Sequence, residues 1–261
     1  MRRLLAVLAC CLLSGRVLAA EEIVTLKTRH DVTQSYLLTQ NGEATGRLVA
    51  VLFPGGAGNI NLRQRSDGAF TGSNNFLVRV RQLFAAQGIA TATIDGPSDM
   101  SNMTDGFRMS DRHATDIGLV VRDLRNRFPQ AKIMLIGTSR GTVSAAYTGI
   151  ALGADIDGVV LTSSVFNASR AGGGVSGVDF ARLKVPLLFV HHREDACNVC
   201  PYSGAARFAD RYPLISVSGG LPPESGPCDP LAAHGFFGKE KETVAAISLW
   251  MSGKPHPADV Q

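Results

Sequence analysis

The 261-residue chain carries 26 Lys and Arg against 22 Asp and Glu, a formal net charge of +4, and 45% of its residues are hydrophobic. Arg2, Arg3 and Arg16 lie in an N-terminal segment without acids, so the remainder stands at only +1, too little for a basic nucleic-acid surface. No stretch beyond that segment approaches the roughly 20 apolar residues of a membrane helix, which excludes a membrane span.

Residues 1–20 combine Arg2 and Arg3, an apolar stretch over 4–13 and a small-residue ending. This is the composition of a secretory signal peptide cleaved near Ala19 or Ala20. Further apolar residues follow Cys10 and Cys11, which argues against lipid attachment there. The mature chain is therefore expected to be exported, periplasmic or secreted, and residues 21–261 suit one domain. Residues 23–26 and 35–38 predict two short strands around a polar turn, an antiparallel hairpin at a sheet edge. Residues 48–53 form the first strongly buried run, a strand that ends in Pro54-Gly55-Gly56-Ala57-Gly58. The polar loop over 59–75, with Arg63, Arg65, Asp67 and Ser73, either shapes a pocket or is solvated surface. Leu77, Val80, Leu83 and Phe84 recur at helical spacing, and Gly88 stops that helix. Residues 89–94 predict the next strand; Asp95 at its carboxyl end either touches substrate or, the preferred reading, caps the turn beyond it. Ser110 reads as the N-cap of a helix that buries Ile117, Val120, Val121, Leu124 and Phe128. His113, in its first turn, reads as a surface residue.

The apolar run 133–136 stops at Gly137-Thr138-Ser139-Arg140-Gly141, and a small-residue helix follows over 142–152. A turn between a buried strand and a closely packed helix must be tight. Glycines two residues before and after the serine remove Cβ atoms that would collide there, so Ser139 can take a strained backbone with its hydroxyl exposed. A G-x-S-x-G pentapeptide alone is a weak signal; the strand before it and the helix after it give it weight. This strand, turn and helix resemble the nucleophile elbow of the α/β-hydrolase family.

The resemblance implies an α/β fold, a three-layer α/β/α sandwich on a mostly parallel sheet, with a Ser-His-acid triad in that chain order. The loop after strand 48–53 would supply one backbone N–H of an oxyanion hole, from Gly56 in preference, although Pro54 stands where many members have His. The N–H of Arg140 would supply the other. The Arg140 side chain either meets a substrate acid or pairs with a carboxylate nearby. After strand 158–162 the family usually inserts a lid. Here the interval to strand 185–192 is short and rich in Gly and Ser, so a minimal, flexible flap and an open site are expected. The family's acid sits just past this second strand, where Asp195 is preferred to Glu194. A helix over 204–211, a strand over 214–218 and a closing helix with Val244, Ile247 and Met251 follow. Of six histidines, His30 and His113 precede Ser139, His191 and His192 precede the acid, and His256 sits in a Pro-flanked tail. His234 remains, followed by Gly-Phe as family members often have it.

These assignments imply a serine hydrolase acting on a small-molecule acyl substrate, an ester first, through an acyl-enzyme and without cofactor or metal. Peptidase and thioesterase chemistry use the same machinery, and a non-catalytic binding protein of this fold is the alternative from another class. The three cysteines beyond residue 20 admit three readings. A Cys197–Cys228 disulfide would staple the acid loop to the histidine loop and leave Cys200 free, the pairing preferred here. A Cys197/Cys200 redox pair lacks a thioredoxin-like context. A zinc site from Cys197, Cys200, Cys228 and His234 has credible spacing but would consume the catalytic base.

Overall fold

The computed structural model describes residues 19–42 and 47–261; the expected signal peptide lies almost wholly outside them. The described residues build one nine-stranded sheet. Its edge is a hairpin of β1 (Ala20–Arg29) and β2 (Val32–Gln40), turned at Asp31, which adopts φ 55°. β3 (Leu48–Phe53), β4 (Ala90–Ile94), β5 (Lys132–Thr138), β6 (Gly158–Thr162), β7 (Leu187–His192), β8 (Leu214–Val217) and β9 (Asp259–Val260) follow in sequence. The strand order is β1-β2-β4-β3-β5-β6-β7-β8-β9. Antiparallel pairing is confined to β1/β2 and β2/β4, and every later pair is parallel.

The central strands alternate between two apolar faces, which explains why they read as unbroken hydrophobic runs. On one face Val49, Val51 and Phe53 of β3 pack with Ile117, Val120 and Leu124 of α3 (Asp111–Arg127) and with α4 (Gly141–Leu152). On the other, Ala50 and Leu52 meet Leu77, Val80 and Phe84 of α1 (Phe76–Ala86) and Val244, Ile247 and Met251 of α6 (Glu240–Met251). Each fully buried Val, Leu, Ile or Phe is worth about 1.5–3 kcal/mol of transfer free energy, so both helical layers are held mainly by these stripes. The caps read from sequence are in place: Ser110 Oγ accepts from His113 N, and Gly88 adopts φ 79° beyond α1.

Five features depart from the expectations. A short helix, α2 (Asp105–Arg108), precedes α3, and α5 covers only Tyr202–Ala206. The tail holding His256 ends in β9, paired with β8. His113 is fully buried rather than on the surface. The segment between β6 and β7 is short, as expected, but it is no loose flap. Phe166, Val175, Val178 and Phe180 enter the core, Val165 packs with Cys197 and Cys200, and the segment's backbone exchanges hydrogen bonds with Asp105. Among the described residues no helix is long and apolar enough to cross a membrane.

Candidate active site

Parallel pairing places the C-terminal ends of β3, β5, β6 and β7 along one edge of the sheet: Phe53 is level with Gly137, Thr138 with Thr162, and Thr162 with Val190. Loops leaving that edge can converge on a ligand. Ser139 lies at the turn between β5 and α4 with φ 51°, a left-handed conformation that costs a non-glycine residue of order 1–3 kcal/mol. The surrounding structure enforces it. Ser139 N donates to Thr162 O, while Thr142 N and Oγ1 both donate to Ser139 O. A Cβ on Gly137 would sit 2.4 Å from Gly141 O, and one on Gly141 only 2.0 Å from Phe53 O. The two glycines are thus required by close approach of α4 to β5 and β3.

Asp195 follows β7, and its side chain is fully buried. Its Oδ2 is 2.9 Å from His234 Nδ1, and its Oδ1 accepts from Cys197 N at 2.9 Å. Burial disfavours the Asp195 charge, but hydrogen bonds from His191, His234 and Cys197 N outweigh it and hold the carboxyl below its usual range. Glu194, the competing acid, turns away: its carboxylate is exposed and sits 3.0 Å from His192 Nδ1. His191, set aside for chain order, supports the acid from behind, with Nε2 donating to Cys200 O at 2.8 Å and lying 3.5 Å from Asp195 Oδ2.

The loop carrying His234 is held at several points. Ser163 Oγ donates to His234 O at 2.8 Å, and Arg79 of α1 donates to Pro230 O and Gly235 O while pairing with Glu240. Phe236 adopts φ 55° and packs on Phe76, with ring centroids 4.8 Å apart. Cys228 is disulfide-bonded to Cys197 with Cα atoms 4.6 Å apart, so the loops carrying Asp195 and His234 are covalently joined and Cys200 is free among the described residues, as read from the sequence. This bond withdraws Cys197 and Cys228 from the redox-pair and zinc alternatives, although Cys197 and Cys200 sulfurs and a His234 ring nitrogen lie within 4.8 Å of one another. Burial pushes the Cys200 thiol up, nearby Asp195 adds to the effect, and a hydrogen bond with Ser139 offsets part of it.

Ser139 and His234 line one cavity of about 310 Å³ together with Gly55, Gly56, Asn75 and Pro230. Gly56 has φ 60°, and its carbonyl points at two guanidinium groups: Arg108 Nη2 and Arg140 Nη1 each donate to it at 3.2 Å. Neither Gly56 N nor Arg140 N has a hydrogen-bond acceptor among the described residues. The Arg140 side chain is committed to Met103 O at 2.8 Å and to buried Asp105, with Nε–Oδ1 3.4 Å, which resolves its two sequence readings in favour of a protein carboxylate. Arg108 was not singled out by sequence. It is completely buried, also donates to Met103 O and Ser144 Oγ, and its pKa is pushed down to about 9 by burial and by Arg140. Its position on a polar, unpredicted turn gave no periodic signal.

An ionised carboxylate behind a histidine, in a cavity shared with a strained serine, is the arrangement that can activate a hydroxyl for attack on a carbonyl. No family model and no curated protein matches the chain. Solved structures do. Est1E from Butyrivibrio proteoclasticus with bound ferulic acid is 15% identical over 88% of this chain and all of that one, with a TM-score of 0.60. XC6422 from Xanthomonas campestris, described as a serine hydrolase without lid, is 12% identical over 90% and 97% of the two chains, with a TM-score of 0.59. A cold-adapted esterase from an Arctic intertidal metagenomic library is 15% identical over 78% and 86%, with a TM-score of 0.54. Together with the parallel sheet, its strand order and the tight turn at Ser139, these likenesses establish that the chain has the α/β-hydrolase fold.

Proposed function

We propose that this chain is an exported serine hydrolase that cleaves an ester-type acyl substrate, with residues 21–261 as its hydrolase domain. The observation that carries the reading is the convergence of Ser139, at φ 51°, with His234 in one cavity, His234 Nδ1 being 2.9 Å from buried Asp195. In this mechanism Asp195 holds the imidazole with its Nδ1 proton directed at the carboxylate, leaving Nε2 to accept the Ser139 proton as the hydroxyl attacks. The backbone N–H groups of Gly56 and Arg140 receive the developing oxyanion; one such donor is worth about 3 kcal/mol in the transition state. Arg108 and Arg140 fix the Gly56 carbonyl, in the peptide that follows the donor N–H, and so restrain the residue that carries the donor. His234 then protonates the leaving group, and water attacks the acyl-enzyme with the same residue as base. The route uses no metal or cofactor. The disulfide supports export, because such bonds persist in oxidising compartments.

Fluorophosphonate labelling tests the assignment. Wild type takes the label and Ser139→Ala does not; labelling that survives the substitution places the nucleophile elsewhere. An ester, thioester and peptide panel on the unlabelled wild type then separates the three chemistries. Absence of both label and turnover would favour the binding-protein alternative.

A further inference from the structure

The cavity holding Ser139 and His234 shares Asn59, Ile60 and Ser73 with a neighbouring one of about 500 Å³. The second cavity adds Asn61, Gly72 and two arginines, Arg63 and Arg65, and no carboxylate lines it. Arg65 is paired with Asp67, both exposed, at Nε–Oδ2 3.5 Å. Arg63 has no carboxylate partner among the described residues. Asp229 lines the catalytic cavity but not its neighbour.

These arginines stand on a braced loop. The Asp95 carboxylate, 8% exposed, accepts from Ile60 N at 2.6 Å, Leu62 N at 2.9 Å and Gly96 N at 2.8 Å. Thr71 Oγ1 donates to Ile60 O at 2.6 Å, and Arg63 N to Phe70 O and Arg65 N to Ala69 O form two rungs of a tight hairpin. Two cations on a concave wall reinforce each other's potential, and a scaffold ordered in advance lowers the entropic cost of capturing a ligand. Guanidinium groups supply forked donors suited to anionic oxygens.

We propose that the second cavity is a subsite for an anionic group of the substrate, which makes the preferred substrate an ester bearing a negative charge away from its scissile carbonyl. The proposal rests on the serine-hydrolase reading and narrows its substrate class. A matched pair of probes tests it: mono-4-nitrophenyl glutarate, which carries a free carboxylate, and 4-nitrophenyl pentanoate, which does not. In the Arg63→Glu/Arg65→Glu double variant kcat/KM for the glutarate ester should fall about tenfold, mainly through KM, while the pentanoate ester changes less than about twofold. Arg63→Gln/Arg65→Gln should lie between, and about 0.5 M salt should depress only the glutarate reaction. Equal effects on both esters, or none on either, overturn the subsite. Calorimetric binding of monomethyl glutarate to Ser139→Ala protein, with and without the double charge reversal, gives a readout free of turnover. Weakening by the reversal supports the subsite even if Ser139 proves not to be the nucleophile; unchanged binding, or none to either protein, refutes it.

Discussion

His113 should make this protein acid-sensitive. Its ring is fully buried beside Phe53 and Phe107, at centroid distances of 6.1 and 5.3 Å, and neither ring nitrogen has a hydrogen-bond partner among the described residues. Burial, with Arg108 and Arg29 adding repulsion, pushes its pKa down to about 3. In the unfolded chain the same group titrates near 6.5. The folded value is the lower one, so the unfolded state binds the extra proton, and stability falls as pH drops from about 6.5 toward 3. Between pH 7 and pH 5 the native histidine stays neutral while the unfolded one protonates almost completely, a loss of about 2 kcal/mol from this residue. His113→Leu and His113→Phe remove the titration. Urea unfolding of the disulfide-intact protein at pH 7, 6 and 5 should show wild type losing about 2 kcal/mol more than either variant across that interval, because contributions from other groups cancel in the difference. Identical pH slopes in wild type and both variants would refute the argument.

Three further outcomes follow from the site. Asp195→Asn should lower kcat on the order of 10⁴-fold, while Glu194→Gln changes it little, and steady-state kinetics on a 4-nitrophenyl ester distinguishes them. Opening the Cys197–Cys228 bond, by reduction or by Cys228→Ser, should cost about 3 to 4 kcal/mol in denaturant unfolding on the chain-entropy model, with activity falling in parallel because the acid and histidine loops lose their link. Arg108→Met should slow both fluorophosphonate labelling and kcat by roughly 10- to 100-fold with KM little changed, since it releases the Gly56 carbonyl; Arg108→Lys, which keeps the charge, should recover part of that loss.

The parts of this molecule legible in its sequence share a cause: their signals are local. Ser139 is announced by glycines two positions to either side, and the central strands by runs such as residues 48–53 that are buried on both faces. The Cys197–Cys228 pairing could be read because each cysteine lies within a few residues of one of two loops that must meet, the loops that the Asp195–His234 contact also joins. Burial of polar side chains was not legible, because it depends on contacts distant in the chain. His113 looks like an exposed residue in a helix's first turn until Phe53 and Phe107 close over it. Arg108 looks like any loop arginine until Gly56, Met103 and Ser144 provide acceptors. The Gly/Ser-rich stretch between β6 and β7 suggested mobility by composition, yet its scattered Val165, Val175 and Phe180 were enough to seat it.

The crowding around Ser139 also sets which parts of the pocket can be redesigned. A methyl group on Gly55 would lie 2.9 Å from Ser139 Cβ and 3.0 Å from Thr138 O, so even the smallest side chain there must displace the serine it faces. Any substitution at this position therefore moves Ser139 itself. In the 63–70 hairpin only Gly68, at φ 80°, is held to glycine by its backbone conformation. Libraries meant to alter substrate scope therefore belong in the 63–70 hairpin, whose rungs are made by backbone atoms and survive changes of side chain.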